Sequence, residues 1–351
     1  RKGLSMRRST FIVLIALGLL AAGCERTRMN GQAPPSTVQF TVLDPGHFHA
    51  ALVQKSSYEQ VDPRVHVFAP EGPDVEGHLG RIEAFNSRPE DPTSWVEEVY
   101  LGDDFLEKML AQKPGNVVVL SGNNARKAEY VRRSVEAGLN VLADKPMAVR
   151  PDDYEVLKEA YRIAGEKGVL LDDIMTERFE ITSILQKRLS EVPDLFGELV
   201  PGTPEEPAVV KLSVHHFSKI VSGRPLIRPA WFFDVRQQGE GIVDVTTHLV
   251  DLIHWQAFPG QALDFQTDVE VLSARRWPTL LTLAQFEHVT GLESYPEFLT
   301  KDVDGDGVLG VYANGEIAYR VKGVHARVAV EWRYEAPEGT GDTHHSIMKG
   351  S

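Results

Sequence analysis

An imidazole and a carboxylate lie one helical turn apart in the second half of the chain, a spacing that suits acid–base chemistry. In the segment 239–252, a helical repeat places Asp244, His248 and Asp251 on one face and apolar side chains on another. A carboxylate one turn before an imidazole can orient the ring and raise its basicity, so we interpret His248 as a general base. The alternatives are a satisfied surface pair and, less favoured, a metal site, which lacks an evident third strong ligand.

A turn near the start of the chain could contact a nucleotide. Residues 44–50 read Asp-Pro-Gly-His-Phe-His-Ala, follow a strand-like run and lead into an apolar helix. In such a turn, backbone N–H groups meet a pyrophosphate where glycine lets the backbone approach, so Gly46, His47 and Phe48 are candidate cofactor contacts. Glu71, after the second strand-like run, is a candidate partner for an adenosine ribose. An ordinary strand-to-helix turn and a solvated loop carboxylate are the structural alternatives.

Alternating strand and helix patterns must position these residues. Short runs rich in Val, Leu or Phe predict strands over residues 39–43, 65–68, 116–120, 140–142 and 169–171. Between them, helical patterns that end before glycine predict helices over residues 103–112, 125–137 and 152–166. This alternation is typical of an α/β fold with a parallel, doubly wound sheet.

Strand patterns replace helical ones in the second half of the chain. Residues 209–214 are apolar and β-branched, and residues 328–334 alternate between apolar and polar side chains. Period-two alternation predicts a sheet with one covered face. We therefore predict a nucleotide-binding domain over residues 37–172 and an α+β domain with a large, mostly antiparallel open sheet over residues 173–351. Because the sequence stops abruptly after a strand-like stretch, we expect a missing C-terminal segment.

Composition and charge exclude some kinds of partner. The 351 residues are 42% hydrophobic and 25% charged, with a formal net charge of −13. A chain of this size can bury a large core divided between two domains. The body of the chain has no cluster of Lys and Arg for phosphate binding, so we expect no nucleic-acid partner. A single cysteine cannot form an internal disulfide.

The N-terminus has the pattern of an export signal. Two arginines precede an apolar run over residues 11–22, which is shorter than the roughly 20 residues that a membrane-spanning helix needs. The run leads to a sequence that resembles a bacterial lipobox, so we predict a signal peptide over residues 1–24 with lipidation of Cys24. An ordinary signal peptide is the alternative. A polar tether over residues 25–36 follows. We expect a protein of the bacterial cell envelope, facing the periplasm, that contacts the membrane only through its lipid anchor.

Two blocks of sequence resemble the Gfo/Idh/MocA oxidoreductases, a family that includes glucose-fructose oxidoreductase and inositol dehydrogenases. Residues 137–148 read Ala-Gly-Leu-Asn-Val-Leu-Ala-Asp-Lys-Pro-Met-Ala and are similar to the family's Glu-Lys-Pro segment, with Asp144 in place of the usual Glu. Residues 231–252 are similar to its glycine-rich turn and its Asp-x-x-x-His-x-x-Asp helix. The resemblance implies an N-terminal Rossmann domain followed by a substrate domain.

The resemblance also implies roles for individual residues. Lys145 would lie beside the nicotinamide and hold or polarise the reacting hydroxyl. Arg178, Trp231 and His248 would contact the substrate, although pairing on a helix surface is an alternative for Arg178. The open sheet would form the subunit contact of a homo-oligomer. Further cofactor contacts are expected from Ser121, Asn123, Asp144, Lys145 and Pro146.

Taken together, the residues and the resemblance predict an NAD(P)-dependent oxidoreductase that acts on a hydroxyl of a sugar or polyol derivative, with NAD slightly preferred to NADP. Lys145 would steady the hydroxyl, His248 would take its proton, and Asp244 would orient His248. Because free NAD(H) is scarce outside the cytoplasm, a redox-neutral, NAD-assisted glycosidase or lyase is one alternative. A lipoprotein that binds a carbohydrate without turnover is another, which the glycine-poor turn would permit.

An acidic segment near residue 300 starts like a calcium-binding EF-hand loop. Residues 302–307 read Asp-Val-Asp-Gly-Asp-Gly, with oxygen ligands at alternate positions. The twelfth position holds Ala313, where a bidentate glutamate is needed. We therefore favour a turn before a strand that begins near Val308, with calcium as the alternative, and we predict no metal site.

Overall fold

A parallel sheet of six strands forms the first half of the fold. The computed structural model describes residues 38–221 and 224–351, which belong to one compact unit, so the predicted signal peptide, Cys24 and the tether lie outside the described residues. The sheet order is 3-2-1-4-5-6, and each strand is parallel to its neighbours. The strands are β1 (Phe40–Leu43), β2 (Arg64–Ala69), β3 (Val96–Leu101), β4 (Val117–Leu120), β5 (Asn140–Asp144) and β6 (Leu171–Ile174).

Helices cover both faces of this sheet because its central strands are apolar on both sides. Along β4, Val118 and Leu120 pack into one core cluster and Val119 packs into the other. One cluster includes α3, α4 and α5, and the other includes α1 and α2, so the sheet is doubly wound as predicted. These helices are α1 (His49–Leu52), α2 (Pro73–Ser87), α3 (Phe105–Gln112), α4 (Lys127–Glu136) and α5 (Pro151–Lys167).

The order of the strands determines where a ligand can bind. The chain changes direction across the sheet between β1 and β4, which lie side by side. In open α/β sheets, ligands bind outside the carboxyl ends of the strands at this point. A ligand-binding site is therefore expected at the turns that follow β1, β4 and β5.

A five-stranded mixed sheet forms the second half of the fold, and only its β7–β12 pair is parallel. Along β12 (Val324–Glu335), Val328, Val330 and Trp332 are buried and alternate with partly exposed residues. This confirms the predicted two-residue alternation between a covered and an open face. The strands of this half, including a two-residue pair formed by β8 and β9, are β7 (Val209–Ser218), β8 (Ile220–Val221), β9 (Arg224–Pro225), β10 (Val269–Leu281), β11 (Leu309–Val321), β12 (Val324–Glu335) and β13 (Thr343–Met348).

One helix packs on the covered face of the second sheet and carries the acid–base residues. Leu249 and Ile253 of this helix pack against Val209 and Val328 of the sheet, so its opposite side can face a cleft. Among the described residues, no helix is long and apolar enough to cross a membrane. The helices of this half are α6 (Ile181–Ser190), α7 (Pro193–Phe196), α8 (Val245–Ala257) and α9 (Leu283–Thr290).

The acidic segment 302–307 forms a tight turn before β11, as predicted. The Asp304 carboxylate accepts hydrogen bonds from the backbone N–H groups of Asp306 and Val308, at 2.9 and 3.0 Å. Gly307 has a left-handed φ of 78°, which glycine adopts without steric cost. The side chain of Asp304 thus stabilises the turn itself.

We expect Glu97→Gln to stabilise the protein at pH 8 by about 1 to 3 kcal/mol. Burial raises the pKa of Glu97 to about 7, from an ordinary value of 4.5, despite a hydrogen bond from Gln54. The folded state therefore binds more protons than the unfolded state between these two values, so stability falls as pH rises from about 4.5 to 7. Glutamine removes this titration, and it can also supply a donor beside the unpartnered Oε1 of Gln54. Thermal unfolding at pH 8 and pH 4.5 tests this prediction. An equal gain at both pH values would contradict it.

Candidate active site

A buried ion pair joins the two halves of the fold at the carboxyl end of β5. Lys145 follows this strand, and its Nζ atom donates to Asp244 Oδ1 at 2.5 Å. Burial alone would lower the pKa of Lys145, but the negative charge of Asp244 raises it. Burial would raise the pKa of Asp244, but Lys145 lowers it, with help from a hydrogen bond to Gln238. Both members of the pair are therefore ionised at neutral pH.

The pairing of Asp244 corrects one expectation. Asp244 was predicted to orient His248, yet its carboxylate is bound to Lys145. The reason is local: α8 begins only at Val245, so Asp244 lies at the N-cap and is not one regular turn before the imidazole. Asp244 therefore positions the lysine rather than the histidine.

His248 lies close to this pair as a neutral, buried imidazole. Its Nδ1 atom is buried and has no hydrogen-bond partner among the residues that the structure describes. Burial, together with the positive charge of Lys145, lowers the pKa of His248 to about 2. A buried polar atom without a partner is costly in a folded protein. His248 is thus ready to accept a hydrogen bond from a ligand.

A small cavity connects these groups and collects side chains from both sheets. Its volume is about 180 Å³, and three large aromatic side chains contribute apolar walls between charged and polar ones. Five histidines face it, which gives the cavity an unusual density of groups that can exchange protons. Its charged, histidine and large aromatic lining residues are His47, Phe48, His49, Lys145, Glu177, His215, Lys219, Arg228, Phe232, Asp244, His248, Trp332, Asp342 and His344.

An imidazole–carboxylate pair, His215 and Asp342, also lines the cavity. Asp342 Oδ2 lies 3.0 Å from His215 Nδ1, and Asp342 also binds Lys219. The His215 ring stacks on Trp332, with ring centroids 5.0 Å apart. Burial lowers the pKa of His215, so this imidazole is neutral in the pair. The cavity therefore contains two separate imidazoles, His215 and His248, that can transfer protons.

The Asp144 carboxylate is held by side chains of the β1–α1 turn. His47 Nδ1 lies 3.1 Å from its Oδ2 atom, His49 Nδ1 lies 3.0 Å from its Oδ1 atom, and Ser121 Oγ donates to Oδ2 at 2.9 Å. Burial would raise the pKa of Asp144, but the two histidines hold it well below its usual range. Three predicted cofactor contacts, His47, Ser121 and Asp144, thus bind one another.

A groove at the carboxyl ends of β1 and β2 fits the adenosine half of a dinucleotide. It has a volume of about 630 Å³ and is lined by Gly46, Glu71, Arg81 and Trp231 among others. Glu71 thus lines this groove, and its contact with a ribose stays a prediction. Trp231 does not contact the Lys145 cavity, because its Nε1 atom donates to Asp74 Oδ2 at 2.7 Å. The substrate contact of Trp231 stays a prediction, and its neighbour Phe232 lines the cavity.

Glycines keep the β1–α1 turn close to the turn after β4. A Cβ atom on Gly122 would lie 2.1 Å from the backbone oxygen of Asp44, so only glycine fits there. The N–H groups of Gly46 and His47 both donate to the backbone oxygen of Ser121, at 3.1 Å each. These two groups brace the turn rather than face a phosphate, which corrects the role predicted for them. The groove beside this turn has room for the adenosine half of a dinucleotide, and the Nδ1 atom of His248 can accept a hydrogen bond from a ligand.

Two other predicted contacts are engaged within the protein. Arg178 binds Asp251 through two hydrogen bonds, one of them at 2.7 Å, rather than a glutamate of its own helix surface, and its substrate contact stays a prediction. Asn123 donates to Gln237 Oε1 at 2.7 Å and caps the short helix that follows it. Asn123 thus ties the turn after β4 to the glycine-rich segment before α8.

Gly241 sets the position of Asp244, and we expect Gly241→Ala to destabilise the protein by about 2 to 4 kcal/mol. A Cβ atom at this residue would lie 1.8 Å from the backbone oxygen of Ala313 in β11. Gly305→Ala is the matched control, because no atom lies within 4 Å of its Cβ position. Urea unfolding of both variants tests this prediction. Equal stability of the two would show that the close approach to β11 is not required.

Sequence reasoning missed several residues of the cavity. His49 lies in the segment 44–50 that was predicted to contact a nucleotide, but a histidine alone does not indicate its partner, Asp144, which is 95 residues away. His215 and His344 each precede another histidine in a strand, which is the only local hint. Lys127 is fully buried and binds Asn124 and the backbone oxygen of Asp144. Its position in a charged helix predicts a surface residue.

The fold and the site together place the chain among Rossmann-fold oxidoreductases, and comparison with known proteins identifies the group. The family model "Oxidoreductase family, NAD-binding Rossmann fold" (Gfo/Idh/MocA) matches residues 75–172, and "Putative oxidoreductase C terminal domain" matches residues 185–351. A "putative oxidoreductase" of known structure from Parabacteroides merdae is 55% identical, with a TM-score of 0.88, over 92% of this chain and 73% of that one. The chain therefore belongs to the Gfo/Idh/MocA oxidoreductase family. This membership confirms the predicted family and supports an enzyme over a non-catalytic binding protein.

More distant relatives share less of the sequence. YhhX of Escherichia coli K12, an uncharacterized oxidoreductase, is 27% identical over 166 residues, which are 42% of this chain and about half (47%) of that protein. WlbA dehydrogenase of Bordetella pertussis, solved in complex with NADH and UDP-GlcNAcA, has a TM-score of 0.52 at 16% identity, over 88% of this chain and 71% of that one. At that identity the likeness to WlbA is one of fold alone.

Proposed function

We propose that this protein is an NAD(P)-dependent oxidoreductase that acts on a hydroxyl group of a sugar or polyol derivative. One observation carries the proposal: a protonated Lys145, held by Asp244, lines the same small cavity as a neutral His248 whose Nδ1 atom has no partner. The cavity lies at the carboxyl edge of a Rossmann sheet, where such proteins bind dinucleotides. The three residues supply a hydrogen-bond donor, its positioning group and a proton acceptor.

The charge states of these residues define how they would act. Lys145 has three donors, and Asp244 accepts one, so the others can bind the substrate oxygen and stabilise negative charge that develops on it. His248, which is neutral, accepts the proton of the hydroxyl group. A bound nicotinamide would supply the hydride acceptor for the carbon that carries this hydroxyl group, and a carbonyl group would be left. Asp244 keeps the lysine charged throughout.

The walls of the cavity support a carbohydrate as substrate. Trp332 and Phe232 line the cavity with apolar atoms, against which the C–H groups of a sugar ring can pack, and His215 and Lys219 line it as well. Glu71 in the adenosine groove supports NAD, because a carboxylate can accept hydrogen bonds from the ribose hydroxyls. Arg81 in the same groove is the residue that could instead bind the phosphate of NADP.

Substrate turnover tests the proposal. The full chain is incubated with NAD or NADP and a panel of sugars, polyols and glycosides, and reduced nicotinamide and oxidised product are measured by absorbance and mass spectrometry. We expect one class of carbohydrate to give both products in equal amounts, with NAD preferred. Glu71→Ser should raise the KM for NAD with little effect on kcat. A chain that binds neither nucleotide would contradict the proposal.

A redox-neutral glycosidase or lyase is the second candidate function, because the cavity holds the His215–Asp342 pair in addition to His248. Oxidation acidifies the carbon next to the new carbonyl, and elimination then needs a base for that proton and an acid for the leaving oxygen. His215, which Asp342 orients through Nδ1, would take the proton from carbon on Nε2, the atom that now contacts Ser213 Oγ at 2.5 Å, and return it to the leaving group. We also propose, from the N-terminal sequence, that the protein is exported. A reaction that regenerates its own cofactor would suit an exported enzyme, because free NAD(H) is scarce outside the cytoplasm.

Glycosides distinguish the two candidates. The second predicts that a glycoside is cleaved without net formation of reduced nicotinamide, and that His215→Asn stops release of the leaving group while oxidation continues. If reduced nicotinamide instead forms in proportion to the oxidised product, and His215→Asn does not change this proportion, the function is simple oxidation.

A further inference from the structure

We propose that His47, His49 and Asp144 form a binding site for one divalent transition-metal ion, with Zn²⁺ the best match to these ligands. Each residue offers one ligand atom, and the three atoms lie within 4.8 Å of one another. The two histidines come from the turn after β1, and Asp144 is the last residue of β5. An ion here would link the nucleotide-binding turn to the strand that precedes Lys145.

The spacing of the three atoms is close to that of a metal centre. His47 Nδ1 and His49 Nδ1 lie 3.1 and 3.0 Å from separate oxygens of Asp144. Bonds of about 2.0–2.1 Å in a tetrahedral zinc site separate neighbouring ligand atoms by about 3.3 Å. Measured to one shared oxygen, Asp144 Oδ2, both distances are 3.1 Å, so these contacts need to lengthen by only a few tenths of an ångström, and the two nitrogens lie within 4.8 Å of each other. The two imidazole rings meet edge to face, with centroids 4.3 Å apart, so each can direct its Nδ1 atom to a common point.

The chemistry of the ligand set also fits. Two imidazoles and one carboxylate suit zinc and other first-row transition metals, and they leave a further coordination position open. An ion coordinated by Nδ1 of each ring and by the Asp144 carboxylate would take the place of the present contacts between these atoms. Asp144 supplies one negative charge, and the adjacent Lys145 is already paired with Asp244.

The surroundings hold the ligands in place. Ser121 Oγ donates to the Asp144 carboxylate at 2.9 Å, and Lys127 Nζ donates to the backbone oxygen of Asp144 at 3.0 Å. Phe48 packs against both imidazoles, with ring centroids 4.5 and 4.4 Å away. Partners of this kind orient metal ligands, and their loss commonly weakens metal affinity about 10- to 100-fold.

The proposal gives a reason for the unusual turn after β1. Two histidines stand in a turn where nucleotide-binding proteins commonly carry more glycine. An ion bound to both would cross-link the turn to β5 and would place positive charge at the edge of the Lys145 cavity, which His47 and His49 also line. This role does not depend on which substrate the enzyme oxidises.

Metal titration in the absence of nucleotide tests the site. The purified full chain is treated with a chelator, and Zn²⁺ and Co²⁺ are then added separately and followed by calorimetry and by the visible absorption of Co²⁺. We expect one ion per chain, a Co²⁺ spectrum typical of tetrahedral coordination, and a rise in the unfolding temperature. Ser121→Ala should weaken Zn²⁺ binding about tenfold.

Matched variants separate this site from other histidines. His49→Gln and the double variant His47→Gln/His49→Gln should lose the Co²⁺ spectrum, whereas His78→Gln, which changes a buried histidine of α2, should keep it. Circular dichroism checks that each variant is folded. No stoichiometric Zn²⁺ or Co²⁺ on the wild-type chain would overturn the proposal, as would unchanged affinity in the folded double variant. Nucleotide binding without metal binding would leave the oxidoreductase proposal intact and reject this one alone.

Discussion

Replacing Lys145 with methionine is expected to lower kcat/KM by about a thousandfold or more. The variant removes the ammonium group that would bind the substrate oxygen and stabilise its developing charge, an effect worth about 10²- to 10³-fold for one preorganised donor. It also leaves the Asp244 carboxylate buried beside the cavity without its partner at 2.5 Å. Steady-state kinetics with the substrate found in the carbohydrate panel measures the loss.

A double variant separates catalysis from folding. Lys145→Met alone should lower the free energy of unfolding by about 3 to 5 kcal/mol, because Asp244 becomes an uncompensated buried charge. Lys145→Met/Asp244→Asn has no such charge, so we expect it to recover most of the stability and none of the activity. Recovery of activity in the double variant would mean that the lysine has only a structural role.

Replacing His248 with asparagine is expected to lower kcat by about 10²- to 10⁴-fold, the usual contribution of a general base. The effect on stability should be small, because the Nδ1 atom of His248 has no hydrogen bond to lose among the described residues. His254→Asn is the matched control: it lies on the same helix and also has a buried ring nitrogen without a described partner, but it does not line the cavity. Kinetics of both variants should show a loss only for His248.

The pH profile gives an independent test of the charge states. The kcat/KM profile reports groups of the free enzyme. A pKa lowered to about 2 keeps His248 deprotonated, and a raised pKa keeps Lys145 protonated. We therefore expect neither residue to impose a limb between roughly pH 5 and pH 9. An acid limb near pH 6.5 that disappears in His248→Asn would contradict the burial of this imidazole.

The sequence was most informative where side chains repeat with a regular period. The strands over Val117–Leu120 and Asn140–Asp144 were predicted because they are apolar on both faces of a covered sheet. Strand Val96–Leu101 was missed, because this edge strand is mostly exposed and contains two glutamates. Helix Pro73–Ser87 was missed as well, since it includes two glycines and only a weak apolar stripe.

The residues of the site were easier to predict than their partners. Lys145, Asp244 and His248 were chosen from two short motifs, and the structure brings all three to one cavity. Their pairing was wrong, because it depends on where α8 starts and on a contact across 99 residues. The bond of Arg178 to Asp251 is likewise long-range and has no local signature.

Nucleotide binding is the most direct test of this account, and calorimetry with NAD and NADP on the purified full chain measures it. We predict that one nucleotide binds per chain and that NAD binds more tightly than NADP. Gly122→Ala should lose binding, because its new Cβ atom would lie 2.1 Å from the backbone oxygen of Asp44. Mass spectrometry after denaturation would detect a nucleotide retained from the cell. If the wild-type chain neither retains nor binds NAD or NADP, the oxidoreductase function proposed for the Lys145 cavity is wrong.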